Sequence, residues 1–338
     1  MTALTRDLQG HEHQRERLQT LWGRGRIAPA MLFAGRGGIG KQLVAKELYA
    51  SMLCETNRTK EEHHYGGCGT CHACKVFAHG NTPDFHIVET QDKEAWNVER
   101  IRELLFELHL RAYSGHERIV LINDADHLSV QAANILLKII EEPREGLYFC
   151  LICQNPSRLP RTLLSRCQLW HFDPLPQQHV LTIVHERSEW QEAHASGLTT
   201  EQLVLLIDGS PGELENLAAL APHWQETTKR LESIRRGNVT LAIQFADELK
   251  SRKEALSSWL TLLRLAARHH MHQAKEPIEQ YAWASFLQNT LELPYYLRER
   301  HLAPFTLFQV LFLRLARLQP SGTHLYSDHQ TLDAIIGL

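Results

Sequence analysis

One eight-residue segment constrains the fold of this chain more than any other. It reads GRGGIGKQ and occupies residues 35–42. An apolar run, PAMLFAG, leads into it at residues 29–35, and apolar residues at helical spacing follow it at residues 41–53. In the pattern G-x-x-x-x-G-K-S/T, backbone N–H groups at a helix N-terminus cradle phosphate, and the lysine reaches the terminal phosphates. The strand–loop–helix context therefore predicts a phosphate-binding loop.

The loop departs from this pattern at its last position. Gln42 stands where a serine or threonine hydroxyl would bind Mg²⁺. An amide oxygen on a longer side chain is a poorer match to the tight geometry of that ion. The residues that fit the pattern are Gly35, Gly38, Gly40 and Lys41. We therefore predict a phosphate loop whose metal side is weakened.

A second metal position is also altered. In sites of this type, a buried strand ends in two acidic residues, of which one binds the metal and the other orients water. Here the run LINDAD at residues 121–126 places Asn123 at the metal position and Asp124 at the other. A neutral amide binds a hard cation weakly. In an alternative register, Asp124 would be the metal ligand and some activity would remain.

Strands and helices alternate through the first half of the chain, which predicts an α/β fold with a parallel sheet. After the two prolines of DPLPQQ, at residues 173–178, only helical periodicity remains. We expect an α/β domain at residues 1–173, a small helical domain at 174–222 and an all-helical domain at 223–338. The apolar runs that predict strands lie at residues 29–35, 84–89, 118–123, 147–155 and 166–172.

The composition excludes few classes of binding partner, but it does indicate a cellular compartment. The net charge of -3 neither requires nucleic acid as a direct partner nor excludes a local basic patch. No apolar run reaches the roughly 18 residues of a membrane span, and the N-terminus has no apolar signal core. Seven cysteines, an odd number, do not indicate a disulfide framework. We expect a cytoplasmic protein with reduced thiols.

A cysteine-rich insert at residues 54–74 follows the predicted phosphate loop and helix. Thiolates separated by two residues can turn onto one ion, and four sulfurs suit tetrahedral Zn²⁺. The predicted ligands are Cys54, Cys68, Cys71 and Cys74. The first gap is long, so His63, His64 or His72 could replace Cys54. We expect structural zinc with no open coordination position; free thiols or a redox C-x-x-C pair are the alternatives.

A longer run identifies a family. Residues 131–172 read QAANILLKIIEEPREGLYFCLICQNPSRLPRTLLSRCQLWHF. This run resembles the clamp-loader branch of the AAA+ superfamily, whose members carry an AANALLKTLEEPP helix, a strand ending near P-x-x-L and a Ser-Arg-Cys segment. The matching residues are 132–143, 156–159 and 165–167. The resemblance covers roughly residues 5–222, and the remaining residues match only as a helical region of suitable length.

The resemblance implies an AAA+ P-loop domain with a structural zinc insert, a small helical lid domain and an all-helical C-terminal collar. It also implies a role in loading the sliding clamp onto primed DNA during replication. In clamp loaders, the arginine of Ser-Arg-Cys projects into the ATP site of a neighbouring subunit, and Arg166 matches that position. A guanidinium is a planar, permanent cation that can stabilise charge on a phosphoryl group during transfer.

Further departures from the family pattern predict that the chain's own nucleotide site binds ATP and Mg²⁺ weakly or not at all. Cys153 and Gln154 occupy the place of two threonines that sense nucleotide in active relatives. Gly212 stands where such relatives place a second sensing arginine. We therefore expect a stator-type accessory subunit without catalysis of its own. The implied partners are the tau/gamma ATPase subunits and the delta subunit, with the sliding clamp and primer-template DNA reached through the complex.

Two other functions fit parts of the pattern. An active clamp-loader ATPase of tau/gamma type would need the altered metal positions to remain competent. A zinc-dependent DNA-binding module on an ATPase fold would need basic surface, and the net charge of -3 argues against it. The run KRLESIRR at residues 229–236 is either a solvated helix face or a contact for DNA phosphate.

Overall fold

The computed structural model describes residues 8–59, 65–80, 82–89, 98–109, 117–250, 256–298 and 303–317. The chain divides into two compact units. The first contains Met1–His185 together with Asp208–Glu213, and the second contains Glu186–Ile207 together with Leu214–Leu338. The three-domain division predicted from the sequence places its boundaries elsewhere and stays a prediction.

A five-stranded parallel sheet forms the centre of the first unit, in the order β2-β3-β4-β1-β5. The apolar runs of the central strands are buried on both faces, as expected where helices cover both sides of a parallel sheet. This confirms the predicted α/β fold with a parallel sheet. The strands are β1 (Ala30–Gly35), β2 (Phe85–Val88), β3 (Arg118–Ile122), β4 (Leu147–Cys153) and β5 (Gln168–Phe172).

Helices pack on both faces of this sheet. Alternate residues of β1 point into two separate cores, Leu32 with the side chains of α5 and α6, and Phe33 with those of α1 and α2. Ser129 begins α6 by accepting a hydrogen bond from the N–H of Ala132 at 3.1 Å. The helices are α1 (Glu12–Gly23), α2 (Lys41–Leu53), α3 (Glu55–Thr59), α4 (His72–Ala78), α5 (Val98–His109), α6 (Val130–Glu141), α7 (Arg161–Leu164) and α8 (Gln177–Val184).

The second unit is helical throughout its described residues. Its core contains stacked aromatic rings, with Phe245 and Phe312 5.1 Å apart between centroids. Pro222 lies inside α11, so the predicted boundary between residues 222 and 223 falls within a helix. Burial of the neighbouring Ala221 and Trp224 favours continuing the helix despite the lost hydrogen bond. The helices are α9 (Ser188–Ala195), α10 (Thr200–Ile207), α11 (Leu214–Arg235), α12 (Val239–Lys250), α13 (Leu256–Gln273), α14 (Pro277–Arg298) and α15 (Pro304–Arg317).

Within the described parts of the chain, no helix combines the length and the apolar character needed to cross a membrane.

Within the first unit, the segment Asp208–Glu213 packs against the rest through backbone contacts. The N–H of Leu175 donates to the carbonyl oxygen of Gly209 at 2.9 Å. The N–H of Gly212 donates to the carbonyl oxygen of Gly38 at 2.9 Å. A β-carbon at Gly212 would lie 2.7 Å from the α-carbon of Gly38. The close approach of two backbones therefore requires glycine at position 212.

Replacing this glycine should destabilise the first unit. In Gly212→Ala the added methyl group meets backbone that cannot rotate away, so we expect a loss of about 1–3 kcal/mol in the free energy of unfolding. Denaturant titration of the purified protein measures this loss. Gly23→Ala is the control, because no atom lies within 4 Å of its added β-carbon. Equal stability of the two variants would contradict the contact.

Candidate functional site

The predicted phosphate loop joins β1 to α2, as its sequence context requires. Gly38 and Gly40 have φ values of 73° and 100°, in the left-handed region that favours glycine. At Gly35, an added β-carbon would lie 2.3 Å from the carbonyl oxygen of Phe172. The three predicted glycines thus occupy positions where a side chain would be strained or would collide with backbone.

The loop lysine contacts its own loop. The Nζ atom of Lys41 donates to the carbonyl oxygens of Gly35 at 2.6 Å and Arg36 at 2.5 Å. The residue is only 5% exposed. Burial lowers the pKa of the Lys41 ammonium to about 8, because desolvation disfavours the charged form. Lys41 therefore occupies the predicted place, but two of its three donors already have acceptors.

The two altered metal positions meet at a third residue, Glu89. Its Oε1 atom accepts hydrogen bonds from Nε2 of Gln42 at 3.1 Å and from Nδ2 of Asn123 at 2.6 Å. We refer to Gln42, Glu89 and Asn123 as the Glu89 cluster. Amide nitrogens have no lone pair to offer a cation, and here they face the carboxylate. In this arrangement the amide nitrogens of Gln42 and Asn123 are both hydrogen-bonded to one carboxylate oxygen of Glu89.

Sequence analysis did not identify Glu89 as a functional residue. It follows β2 directly, as Asn123 follows β3, and these parallel strands are neighbours in the sheet. Their carboxyl ends therefore meet at the same edge. A charged residue at the carboxyl end of a predicted strand was the sequence feature that could have identified Glu89 as a site residue.

The loops after β3 and β4 are joined by another carboxylate that sequence analysis missed. Asp126 accepts hydrogen bonds at 3.3 Å from the backbone N–H groups of Gln154 and Asn155. Asp124 adopts a left-handed conformation, with φ 48°. Cys153 is 1% exposed and belongs to the core, whereas the Gln154 side chain lies 3.1 Å from an ideal β-carbon on Gly37. The Gln154 side chain thus borders the phosphate loop.

The segment Asp208–Glu213 also borders this loop. Arg36 donates to the carbonyl oxygen of Asp208 at 3.1 Å and forms an ion pair with the carboxylate of that residue. Gly38 and Gly212, whose backbones are hydrogen-bonded to each other, lie shortly after Arg36 and Asp208 in the chain. At the place where the family resemblance leads one to expect a sensing arginine, the structure has backbone packed against backbone.

The four predicted cysteines come together between α2 and α4. The Sγ atoms of this group, hereafter the four-cysteine group, all lie within 4.8 Å of one another. Four sulfurs around one tetrahedral Zn²⁺ would be about 3.8 Å apart, given a Zn–S distance of about 2.3 Å. The members are Cys54, Cys68, Cys71 and Cys74. The group could therefore hold a metal ion after a small contraction.

Hydrogen bonds to sulfur support this reading of the group. The Cys68 N–H donates to the Cys54 sulfur at 3.3 Å, and the Cys71 N–H donates to the Cys68 sulfur at 3.3 Å. These bonds help to fix the positions of the two sulfur atoms. The exposed His72 is not a member of the group. His63 and His64, the other proposed substitutes for Cys54, lie outside the described residues.

Arg166 lies between α7 and β5 on a buried backbone. Its neighbours Leu163 and Cys167 are 0% and 9% exposed, whereas half of its own side chain is exposed. The guanidinium lies 3.3 Å from Oε1 of Glu141, and its NH1 group donates to Ser165 Oγ at 3.2 Å. The structure thus presents an exposed cation from a rigid base.

Arg166 and the phosphate loop lie at opposite edges of the sheet. In the parallel pairing of β1 with β5, Gly35 is opposite Phe172 and Met31 is opposite Gln168. Arg166 precedes the amino end of β5, whereas the loop follows the carboxyl end of β1. At about 3.3 Å per residue, the length of β5 alone separates them by roughly 15 Å. This separation exceeds the reach of an arginine side chain.

Comparison with known proteins places the N-terminal part of the chain in one group. A family described as "DNA polymerase III, delta subunit" matches residues 10–176. The delta-prime subunit of DNA polymerase III from Pseudomonas aeruginosa is 37% identical over 219 residues, 63% of this chain and 60% of that protein. The Escherichia coli delta-prime subunit is 32% identical over 216 residues. The matched segment therefore spans about 60% of the length of these relatives.

Other subunits of the same polymerase are also similar. The Escherichia coli tau subunit is 32% identical over 215 residues, 63% of this chain and 32% of that protein. A gamma subunit-related protein from Thermotoga maritima has a solved structure with a TM-score of 0.50 and 17% identity, covering 89% of this chain and 99% of its own. This likeness concerns the fold alone. Over residues 10–176 the chain matches the DNA polymerase III delta-subunit family, and in sequence it is delta-prime-like.

Proposed function

We propose that the chain is a delta-prime-like stator subunit of the DNA polymerase III clamp loader. In this role it would help to place the sliding clamp on primed DNA and would supply Arg166 to the ATP site of a neighbouring subunit. The observation that carries the proposal is the placement of Arg166 at the sheet edge opposite its own phosphate loop. An exposed arginine that cannot reach its own loop is placed where it can serve a site on another chain.

The chemistry of the chain's own loop supports the same proposal. Mg²⁺ requires oxygen ligands at about 2.0–2.1 Å, and the Glu89 cluster uses the side chains at both expected ligand positions for hydrogen bonds. Lys41 is bonded to two loop carbonyls, and Gly212 contacts Gly38. Binding of Mg-ATP would have to break these contacts. We therefore propose that this site is inactive and binds nucleotide weakly or not at all.

The proposed partners follow from this division of roles. ATP would be bound and hydrolysed by tau/gamma ATPase subunits, of which one would receive Arg166. The delta subunit would complete the complex, through which the chain would reach the sliding clamp and primer-template DNA. The all-helical region from residue 223 is proposed to act as the collar that holds the subunits together, and residues 174–222 as a helical lid domain.

We also propose that the four-cysteine group binds structural Zn²⁺. Cys54, Cys68, Cys71 and Cys74 would fill all four positions of a tetrahedral site and leave none for water or substrate. Zinc would stabilise the local fold by joining α2 to α4, with an apparent binding energy on the order of 10–16 kcal/mol in small zinc modules.

Substitution of Arg166 tests the proposed role in trans. Arg166→Ala should leave the unfolding temperature of the chain unchanged, because half of the side chain is exposed. In the reconstituted complex, ATP turnover at the site served by this chain should fall by about 10³-fold or more. Arg144→Ala, an exposed arginine at the same sheet edge, is the control and should have little effect. Full turnover with Arg166→Ala would rule out the proposed role.

Measurements on the chain alone test the state of its own site. We expect Mg-ATP turnover of the wild-type chain to equal that of Lys41→Ala, because Gln42 and Asn123 bond to Glu89 and do not supply the hydroxyl and carboxylate that usually bind Mg²⁺. Comparing the two turnover rates corrects for any contaminating ATPase, because a contaminant would contribute equally to both preparations. Turnover that depends on Lys41 would instead support the alternative function, an active ATPase of tau/gamma type.

Elemental analysis tests the metal centre. The purified chain should contain about one zinc ion, and Cys71→Ser should lose it together with thermal stability, because three thiolates hold zinc less tightly than four. Cys167→Ser is the control, since this buried cysteine lies outside the four-cysteine group. Full zinc content in Cys71→Ser would refute the assignment of that ligand.

A further inference from the structure

Arg166 has a carboxylate partner that the proposed function does not use. Its NH2 group lies 3.3 Å from Oε1 of Glu141, the last residue of α6. Its NH1 group donates to the Ser165 hydroxyl at 3.2 Å. Two neighbouring nitrogens of one planar guanidinium thus contact the Glu141 carboxylate and the Ser165 hydroxyl. A planar group with two such contacts has a defined orientation.

The backbone segments that carry Glu141 and Arg166 are held in place by packing against the hydrophobic core. On α6, Leu137 and Ile140 are 9% and 5% exposed and pack in the same core as Leu163 and Cys167, which flank Arg166. Helices α6 and α7 also contact each other. The backbone at Glu141 therefore cannot move independently of the backbone at Arg166. Only the two side chains are free to change conformation.

The ion pair between Arg166 and Glu141 is weak, so Arg166 can exchange Glu141 for a partner that binds it more strongly. The Arg166 and Glu141 side chains are 50% and 46% exposed, so water screens their attraction. A phosphate in a closed interface would bind the same guanidinium through shorter, charge-assisted hydrogen bonds. Arginine has five N–H donors, and Glu141 and Ser165 each engage one nitrogen. The remaining donors stay available to an anion.

We infer that Glu141 is a positioning residue for Arg166, which it holds in the orientation needed to meet the phosphate of a neighbouring subunit. The inference rests on the proposed function of Arg166 in trans. Glu141 does not touch the nucleotide; it reduces the number of conformations that Arg166 must leave when the partner site closes. Its contribution should therefore appear in the rate of the chemical step rather than in the binding of ATP.

Kinetics of the reconstituted complex test this role. Glu141→Gln should lower kcat by about two- to fivefold, the size expected for an exposed ion pair, with KM for ATP unchanged. Glu142→Gln is the matched control, because Glu142 is also exposed and forms no ion pair within the described residues. In an Arg166→Ala background, Glu141→Gln should cause no further loss. An equal loss there, an unchanged kcat or a raised kcat would each overturn the inference.

A second measurement uses the chain alone and does not depend on the neighbour. In arginine-labelled protein, the Arg166 side-chain signal is assigned by its absence in Arg166→Ala. Its NMR order parameter should fall in Glu141→Gln and stay constant in Glu142→Gln. Constant order in both variants would overturn the positioning role. If order falls but Arg166→Ala leaves turnover intact, the proposed function fails and the contact between Glu141 and Arg166 stands.

Discussion

Parallel pairing of β1 with β4 and β5 is the constraint on which the rest of the structure depends. Because the strands run in one direction, every loop that follows a strand lies at one edge of the sheet, and every segment that precedes a strand lies at the other. The phosphate loop and the Glu89 cluster occupy the carboxyl edge. Arg166, which precedes β5, and Glu141, which precedes β4, occupy the amino edge. The fold thereby separates the phosphate loop from an exposed arginine.

The two edges differ in how their polar groups are satisfied. At the carboxyl edge, Lys41, Gln42 and Asn123 bond to groups of their own chain. Before β5, Arg166 makes contacts that are half exposed. Ligand binding at the first edge must break internal bonds, whereas binding at the second has only weak, hydrated contacts to replace. A subunit that acts on a neighbour's nucleotide needs this difference.

Local patterns predicted most of the fold and the identity of the altered residues. The strand–loop–helix signal located the glycines and Lys41, and apolar periodicity located all five strands. The contact of Gln42 and Asn123 with Glu89 was not predictable, because it joins positions 47 and 34 residues apart in the chain. The backbone contact of Gly212 with Gly38 likewise depends on tertiary packing. The helix through Pro222 was missed because its buried neighbours outweigh a local rule.

The Glu89 cluster bears on how such a subunit could regain metal binding. Asn123→Asp alone would put a second carboxylate where an amide now lies 2.6 Å from Glu89, and like charges at that distance repel. Gln42→Ser alone would remove one of the two donors that Glu89 uses. Each reverse substitution is therefore unfavourable unless Glu89 changes as well. More than one simultaneous change would therefore be needed to build the usual hydroxyl and carboxylate pair of a phosphate-loop metal site at these positions.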